Sequence, residues 1–187
     1  TELDEKYFAD VTERAMFRRR IPEETTAWRL LHAENDDVPG IRVDVWNDEI
    51  SIILSCNSLE RYLEPLLTGI RMVRPFHRAW GHIRKENGKQ HSLGLLWGSK
   101  PRDGFWVKEL GIQYWVTPQN SRDAGLFCDM RDLRDWLTPH WEERRFLNLF
   151  SYTGAFSVSA AFHGASEVHS VDLSNNYLQT AKNNFQK

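Results

Sequence analysis

Cysteine is scarce in this sequence: its 187 residues include two, Cys56 and Cys128. Two cysteines so far apart build neither a disulfide framework nor a metal knuckle. The seven histidines stand singly, with no cysteine at zinc-ligand spacing, so no metal site is expected. Long apolar runs are missing as well. No stretch approaches the roughly 18 residues of a membrane span, and no leader pattern opens the sequence, so no membrane partner is expected and the expected setting is the cytoplasm. Net charge is −2, which argues against an indiscriminate binder of polyanions. Most informative is a shortage of glycine after Phe150, where only Gly154 occupies the turn. A dinucleotide needs Gly-x-Gly-x-x-Gly so that backbone can approach a pyrophosphate. That spacing is absent, which argues against a nicotinamide oxidoreductase.

What surrounds Gly154 is a pattern of its own. Phe146 to Phe150 is an apolar run of strand length, and Ser151-Tyr152-Thr153-Gly154 is a turn of small and polar residues. Ala155 to His163 carries Phe156, Ala160 and His163 at helical spacing, with Gly164 placed as a C-cap. Glu167 to Leu173 reads as a second strand with Asp172 near its tip, 18 positions after Gly154. Strand, helix and strand this close together predict a βαβ unit of a doubly wound sheet, which binds ligands at its strand carboxyl ends. A single-glycine turn with a carboxylate at the next strand tip suits a nucleoside without phosphates, and S-adenosylmethionine meets both conditions. The plain alternative is a βαβ core unit with a surface aspartate.

The segments Asn148-Leu-Phe-Ser-Tyr-Thr-Gly-Ala-Phe-Ser-Val158 and Ser170-Val-Asp-Leu-Ser174 resemble the first two cofactor motifs of a class I methyltransferase family. That family modifies bacterial 23S ribosomal RNA and includes cytosine-C5 and guanine-N7 enzymes. Ala124-Gly-Leu-Phe-Cys-Asp-Met-Arg-Asp-Leu-Arg134 is similar to the family's Gly-hydrophobic-Phe-hydrophobic-Asp-Gln-Arg-x-x-Arg segment, which closes over the cofactor. A weaker match, Arg29 to Asp44, resembles the strand and loop opening the family's central domain. Met130 replaces the family's usual Gln, and Asn120 to Asp123 departs from its Gln-Lys-Thr run. The family's catalytic Asp-Pro-Pro loop, which follows a fourth strand, occurs nowhere in the sequence.

The resemblance implies an α/β fold: an incomplete Rossmann-like class I methyltransferase core preceded by a smaller α+β domain. The expected division is an N-terminal helix over 1–22, a central RNA or substrate domain over 23–117, and the first part of the cofactor domain over 118–187. It implies S-adenosyl-L-methionine as cofactor and ribosomal RNA as partner. Ser151 to Ala155, with Tyr152, Thr153 and Gly154 between them, would wrap the amino-acid and ribose side. Asp172 would bind the ribose hydroxyls, with Phe127, Phe150 and Leu173 beside it. Asp129 and Arg131 would face the methionine tail. No residue receives a catalytic role, and the chain alone is expected to be inactive. An open sheet edge is expected to leave it associated with another copy or disordered near Asn175 to Lys187. A non-catalytic RNA-binding or structural remnant is the other reading.

The remaining segments are legible by periodicity. Leu3, Tyr7, Val11 and Ala15 predict a helix with Arg18-Arg19-Arg20 near its cation-favouring end and Pro22 beyond it. Ile41, Val43 and Val45 alternate, as do Ile50, Ile52 and Leu54, with Trp46-Asn47-Asp48 turning between them: a hairpin. Leu59 to Ile70 predicts a helix with Pro65 early in it. Strands are expected over Arg78–Arg84, Leu93–Trp97, Phe105–Leu110 and Gln113–Val116, the last two joined at Gly111.

Between Arg71 and Lys108 nine basic residues face only Glu86 and Asp103, with Phe76, Trp80, Trp97, Phe105 and Trp106 interleaved. Cations with aromatics suit RNA, and Arg84, Lys85 and Lys89 are the candidate contacts. Cys128 beside Asp129 invites a nucleophile, but an apolar position in its motif predicts packing. Cys56 is read as a small buried hydrophobe.

Overall fold

The computed structural model describes residues 3–84, 90–99, 103–120 and 123–187. Helix α1 (Glu5–Arg18) starts at Asp4, whose carboxylate accepts the Tyr7 amide at 2.8 Å. Its far end is stapled to the loop before the hairpin, where Arg18 and Arg19 both pair with the buried Asp36 carboxylate. The arginine run therefore begins as a structural clamp, and Arg20 lies exposed beyond it.

Five strands form the first sheet in the order β1 (Ala27–His32), β2 (Ile41–Trp46), β3 (Glu49–Leu54), β4 (Arg78–Arg84), β5 (Gln90–Trp97). Neighbours are antiparallel except β3 and β4, which run parallel because helix α2 (Leu63–Val73) crosses between them. The expected hairpin is β2–β3, and Pro65 is the third residue of α2, where a missing N–H costs nothing. The strand expected over Leu93–Trp97 begins three residues earlier, at Gln90.

Both faces of this sheet are covered, with different chemistry. Val43, Val45, Ile50, Ile52 and Leu54 meet Phe8, Val11, Leu66 and Ile70 of the two helices in the main apolar core. Gly69 permits that packing, since a Cβ there would lie 2.5 Å from the Glu5 carbonyl. The opposite face is buried yet polar. Asp44 binds Arg29, Ser51 accepts the Trp46 indole, Glu49 accepts the Trp80 indole, and His82 bonds the Pro118 carbonyl.

A hairpin of β6 (Phe105–Glu109) and β7 (Ile112–Val116) covers that polar face. Phe105, Val107, Ile112, Tyr114 and Val116 form a second core with Ala27 and Trp46 on one side and Val158 on the other. This core runs across residue 117, so the hairpin is shared between the two halves.

Helix α3 (Arg131–Leu137) leads to the βαβ unit: β8 (Arg145–Leu149), α4 (Ala155–Phe162), β9 (Glu167–Val171) and then α5 (Asn175–Phe185). β8 and β9 pair in parallel, Arg145 opposite Glu167 and Leu149 opposite Val171. The strands end one or two residues before the sequence pattern suggested, so Phe150, Asp172 and Leu173 lie at their carboxyl ends. Leu147, Leu149 and Val171 are each more than half exposed. The segment from Asn175 is helical rather than disordered, because Ser174 caps it and Asn184 and Ala181 anchor it under the 153–154 turn.

Candidate functional site

The turn after β8 is unusually shaped. Phe150, Tyr152 and Gly154 have φ of 57°, 53° and 76°. A bulky aromatic in the left-handed region is disfavoured by about 1–3 kcal/mol, so the surroundings must impose it twice. They do so by hydrogen bonds: Ser151 N to the Val171 carbonyl at 3.0 Å, Tyr152 N to Asp172 Oδ2 at 2.8 Å, and Gly154 N to the Ser151 carbonyl at 2.8 Å. The Thr153 hydroxyl donates to the Gly125 carbonyl, and Asn184 Nδ2 donates to the Thr153 carbonyl at 3.0 Å. Thr153 is thereby a buried tether of the turn. Tyr114 donates to the Ala155 carbonyl at 3.3 Å.

Asp172 is the centre of this arrangement. Its Oδ1 accepts the Ser174 amide at 2.9 Å and its Oδ2 accepts the Tyr152 amide. Those two amides hold the carboxyl below its ordinary range, so it is ionised at neutral pH. Each oxygen keeps a further lone pair, and the residue is part-exposed at the crevice. Around it stand apolar side chains turned to solvent: Phe150 is 85% exposed and Leu173 98%.

A cover lies over the turn. The Phe127 ring sits 5.2 Å from the Tyr152 ring, which sits 4.4 Å from Tyr177. Phe127 and Met130 are both exposed. The structure thus brings Phe127, Phe150, Ser151, Tyr152, Thr153, Gly154, Ala155, Asp172 and Leu173 together.

Asp129 and Arg131 point elsewhere. Asp129 accepts Arg29 Nη1 at 3.1 Å, and Arg131 pairs with its neighbour Asp132 at 2.9 Å. Burial opposes ionisation of Asp129, but the Arg29 guanidinium outweighs it and lowers the pKa. Both residues line a cleft of about 560 Å³ with Arg18, Arg19, Arg20 and Arg29, between α1, β1 and α3. A larger cleft near Trp141 and Phe146 lies at the opposite end of β8 from the Asp172 crevice.

The basic segment is less open than its composition suggests. Arg78 pairs with the buried Glu49 at 2.8 Å, Lys108 with Glu24 at 3.2 Å, and Arg74 donates to the Asn47 carbonyl at 2.7 Å. Arg71 lies 3.9 Å over the Trp97 ring. Arg84 is exposed, while Lys85 and Lys89 lie outside the described residues. Cys128 is buried, and burial pushes its thiol well up, which suits packing. Cys56 corrects the expectation of burial: it is exposed, because the strand ends at Leu54 and Cys56 starts the turn before α2, with its Sγ 3.1 Å from Ser58 Oγ. Among the described residues no helix is long and apolar enough to cross a membrane, and no cluster of metal-ligating side chains occurs.

The sequence reading missed Asn184 and Tyr177. Asn184 also accepts the Trp115 amide at 2.9 Å, so one side chain ties α5 to both the turn and β7. An asparagine inside a helical pattern, where it is a poor helix former, was the available signal.

Residues 58–187 match a family described as S-adenosylmethionine-dependent methyltransferases. Ribosomal RNA large subunit methyltransferase I of Tolumonas auensis is 31% identical, the alignment covering 98% of this chain and 48% of that protein. A protein from Streptococcus mutans described as a SAM-dependent methyltransferase superposes with a TM-score of 0.87 at 28% identity, over 100% of this chain and 50% of the other. A methyltransferase structure complexed with SAH gives the same TM-score and identity, over 49% of its length. The chain spans about half the length of the curated relatives it matches.

Proposed function

Because this chain belongs to the S-adenosylmethionine-dependent methyltransferase family, we propose that it holds S-adenosylmethionine in the crevice between the 150–155 turn, the Asp172–Leu173 tip and the Phe127 cover, and that this serves methylation of ribosomal RNA. The observation carrying the reading is the Asp172 carboxylate, oriented by two amides with lone pairs left over. The residues fit the group in other respects. Gly154 has no side chain to cap α4, so its first-turn N–H groups suit a carboxylate. The Ser151 hydroxyl is buried without a partner. The exposed Phe150 and Leu173 suit the two faces of an adenine.

Bound there, the cofactor supplies a methyl group made electrophilic by its sulfonium. The chain's own part is positional. Asp172 receives the ribose hydroxyls, the turn and the α4 amides take the amino-acid tail, and Phe127 with Tyr152 keeps water from the crevice. Asp129 and Arg131 would reach the tail only by giving up Arg29 and Asp132; as they stand, Asp129 fastens the cover to β1 through Arg29 and Arg131 stays paired within α3.

The ribosomal RNA part rests on the relatives, which are named for it, and on the exposed Arg84, followed in the sequence by Lys85 and Lys89. Such a substrate would place the protein in the cytoplasm. Calorimetry with S-adenosylhomocysteine and with NADH tests the cofactor: the first binds and the second does not. NADH binding without S-adenosylhomocysteine binding overturns the reading. For RNA, replacing Arg84, Lys85 and Lys89 by Gln lowers affinity for 23S fragments and flattens its salt dependence, with cofactor affinity unchanged. Unchanged affinity and slope would make the segment a solvated face.

A further inference from the structure

The least solvent-accessible ion pair among the described residues lies behind the cofactor crevice, not in it. Glu109, the last residue of β6, and Arg134, on α3, are each 1% exposed. They meet as a two-pronged fork, Arg134 Nε to Glu109 Oε1 at 2.6 Å and Nη2 to Oε2 at 2.8 Å. The same Nη2 donates to the Phe127 carbonyl at 2.9 Å. The guanidinium carbon also lies 5.2 Å from the centre of the Phe156 ring, on the helix that follows the Gly154 turn. One side chain thus touches the hairpin, the cover segment and the cofactor helix.

Replacing a buried ion pair by an apolar pair of similar volume is often neutral or stabilising for a core. Packing alone therefore does not require these charges. What an apolar pair cannot do is hold a carbonyl at a fixed place. The Phe127 carbonyl is the point where the cover leaves its extended path for the short turn Cys128–Met130, and the ring of the same residue rests on Tyr152.

We propose that the Glu109–Arg134 fork is a positioning device for the cofactor crevice, with Glu109 aiming the Arg134 guanidinium so that it fixes the Phe127 carbonyl and thereby seats the Phe127 ring over Tyr152. Burial drives the Glu109 carboxyl up while Arg134 opposes this, and the fork keeps the arginine charged. Lysine cannot replace the arginine here, since a single ammonium cannot hold both carboxylate oxygens and the carbonyl in a plane. This inference rests on the reading that the crevice holds S-adenosylmethionine.

The test compares four proteins: wild type, Arg134→Lys, the double variant Glu109→Leu/Arg134→Met, and Arg78→Met, which breaks a different partly buried pair remote from the crevice. Each is measured for melting temperature and for S-adenosylhomocysteine affinity by calorimetry well below that temperature. Arg134→Lys is expected to bind about tenfold more weakly, the scale of one charged hydrogen bond. The double variant should regain most of its melting temperature while its affinity stays about tenfold low. Arg78→Met should lose stability and keep its affinity. If the double variant recovers affinity together with stability, or if affinity follows melting temperature through all the variants, the pair is structural only and the inference fails. Should Arg134→Lys not fold, the double variant decides the matter alone. A wild-type chain that binds no S-adenosylhomocysteine overturns the cofactor reading instead, a separate and recognisable result.

Discussion

The Tyr152 amide donates to Asp172 Oδ2 across 2.8 Å, so the turn that follows β8 and the carboxylate that ends β9 are one hydrogen-bonded unit. The bond explains why Tyr152 can hold a left-handed backbone and why Asp172 points in a fixed direction. A ligand gripped by Asp172 is also gripped by a preformed turn, with little ordering left to do on binding.

The first prediction follows from that pairing. Asp172→Ala should weaken S-adenosylhomocysteine binding roughly ten- to a hundredfold, and Asp172→Asn, which keeps one acceptor oxygen, should fall between. The pH dependence has a definite sign. The carboxyl is held below its ordinary value by the Ser174 and Tyr152 amides. Its contribution is therefore complete at neutral pH and is lost only as pH falls through that lowered value. Calorimetry at pH 7 and pH 5 should give the same Asp172 effect; a wild-type affinity already collapsing at pH 5 would contradict the assignment.

Gly154 supplies the second. Its φ of +76° disfavours any L side chain, and a Cβ there would lie 2.9 Å from the Ala181 Cβ on α5. Gly154→Ala should destabilise the fold by about 1–3 kcal/mol in urea unfolding. Set against Ala181→Gly alone, which carries its own helix cost of about 1 kcal/mol, adding Gly154→Ala should cost less than it does in the wild type by the steric share of the loss, leaving the backbone share. If Gly154→Ala costs the same in both backgrounds, α5 is free to shift and the turn is not pinned as the distances indicate.

The βαβ unit was legible because its signals are local: an apolar run, a small-residue turn, a helical stripe and a C-cap glycine within 27 residues. The β2–β3 hairpin was legible for the same reason, through Ile41, Val43 and Val45 against Ile50, Ile52 and Leu54. Long-range polar pairing left no such trace. Nothing in periodicity says that Asp129 will meet Arg29, 100 positions away in the chain, or that Asp44, Glu49 and His82 will share a buried face. Charge counting likewise set Arg78 and Lys108 among cations opposed only by Glu86 and Asp103, although each has a carboxylate partner elsewhere in the chain, Glu49 and Glu24. Cys56 misled because a strand's alternation says little about the residues just past its end.

The two thiols give a third prediction. Cys56 is exposed, with its thiol lowered by the Ser58 hydroxyl, whereas burial raises that of Cys128. A thiol reagent at pH 8 should label one cysteine quickly, and Cys56→Ser should abolish that phase. Cys128 should react only on unfolding. Fast labelling of Cys128 in the folded protein would revive it as a nucleophile.

The last prediction concerns His82, buried on the polar face of the first sheet and 2.7 Å from the Pro118 carbonyl. A carbonyl can only accept, so Nε2 carries the proton and donates. Burial lowers the imidazole's pKa; the Pro118 bond and Asp123 pull it back part of the way, and Arg42 adds to the lowering. The folded state therefore keeps His82 neutral where an unfolded histidine, with its value near about 6.5, already binds a proton. Stability from this residue is complete above that pH and declines as pH falls toward the lowered folded value, by at most about 1.4 kcal/mol per pH unit. Urea midpoints at pH 7.5 and pH 5.5 should show the decline. His82→Gln keeps an N–H donor for Pro118 but cannot titrate, so its midpoints should differ less between the two pH values. An equal decline in both proteins would mean that another group carries the dependence and that His82 can be charged where it sits.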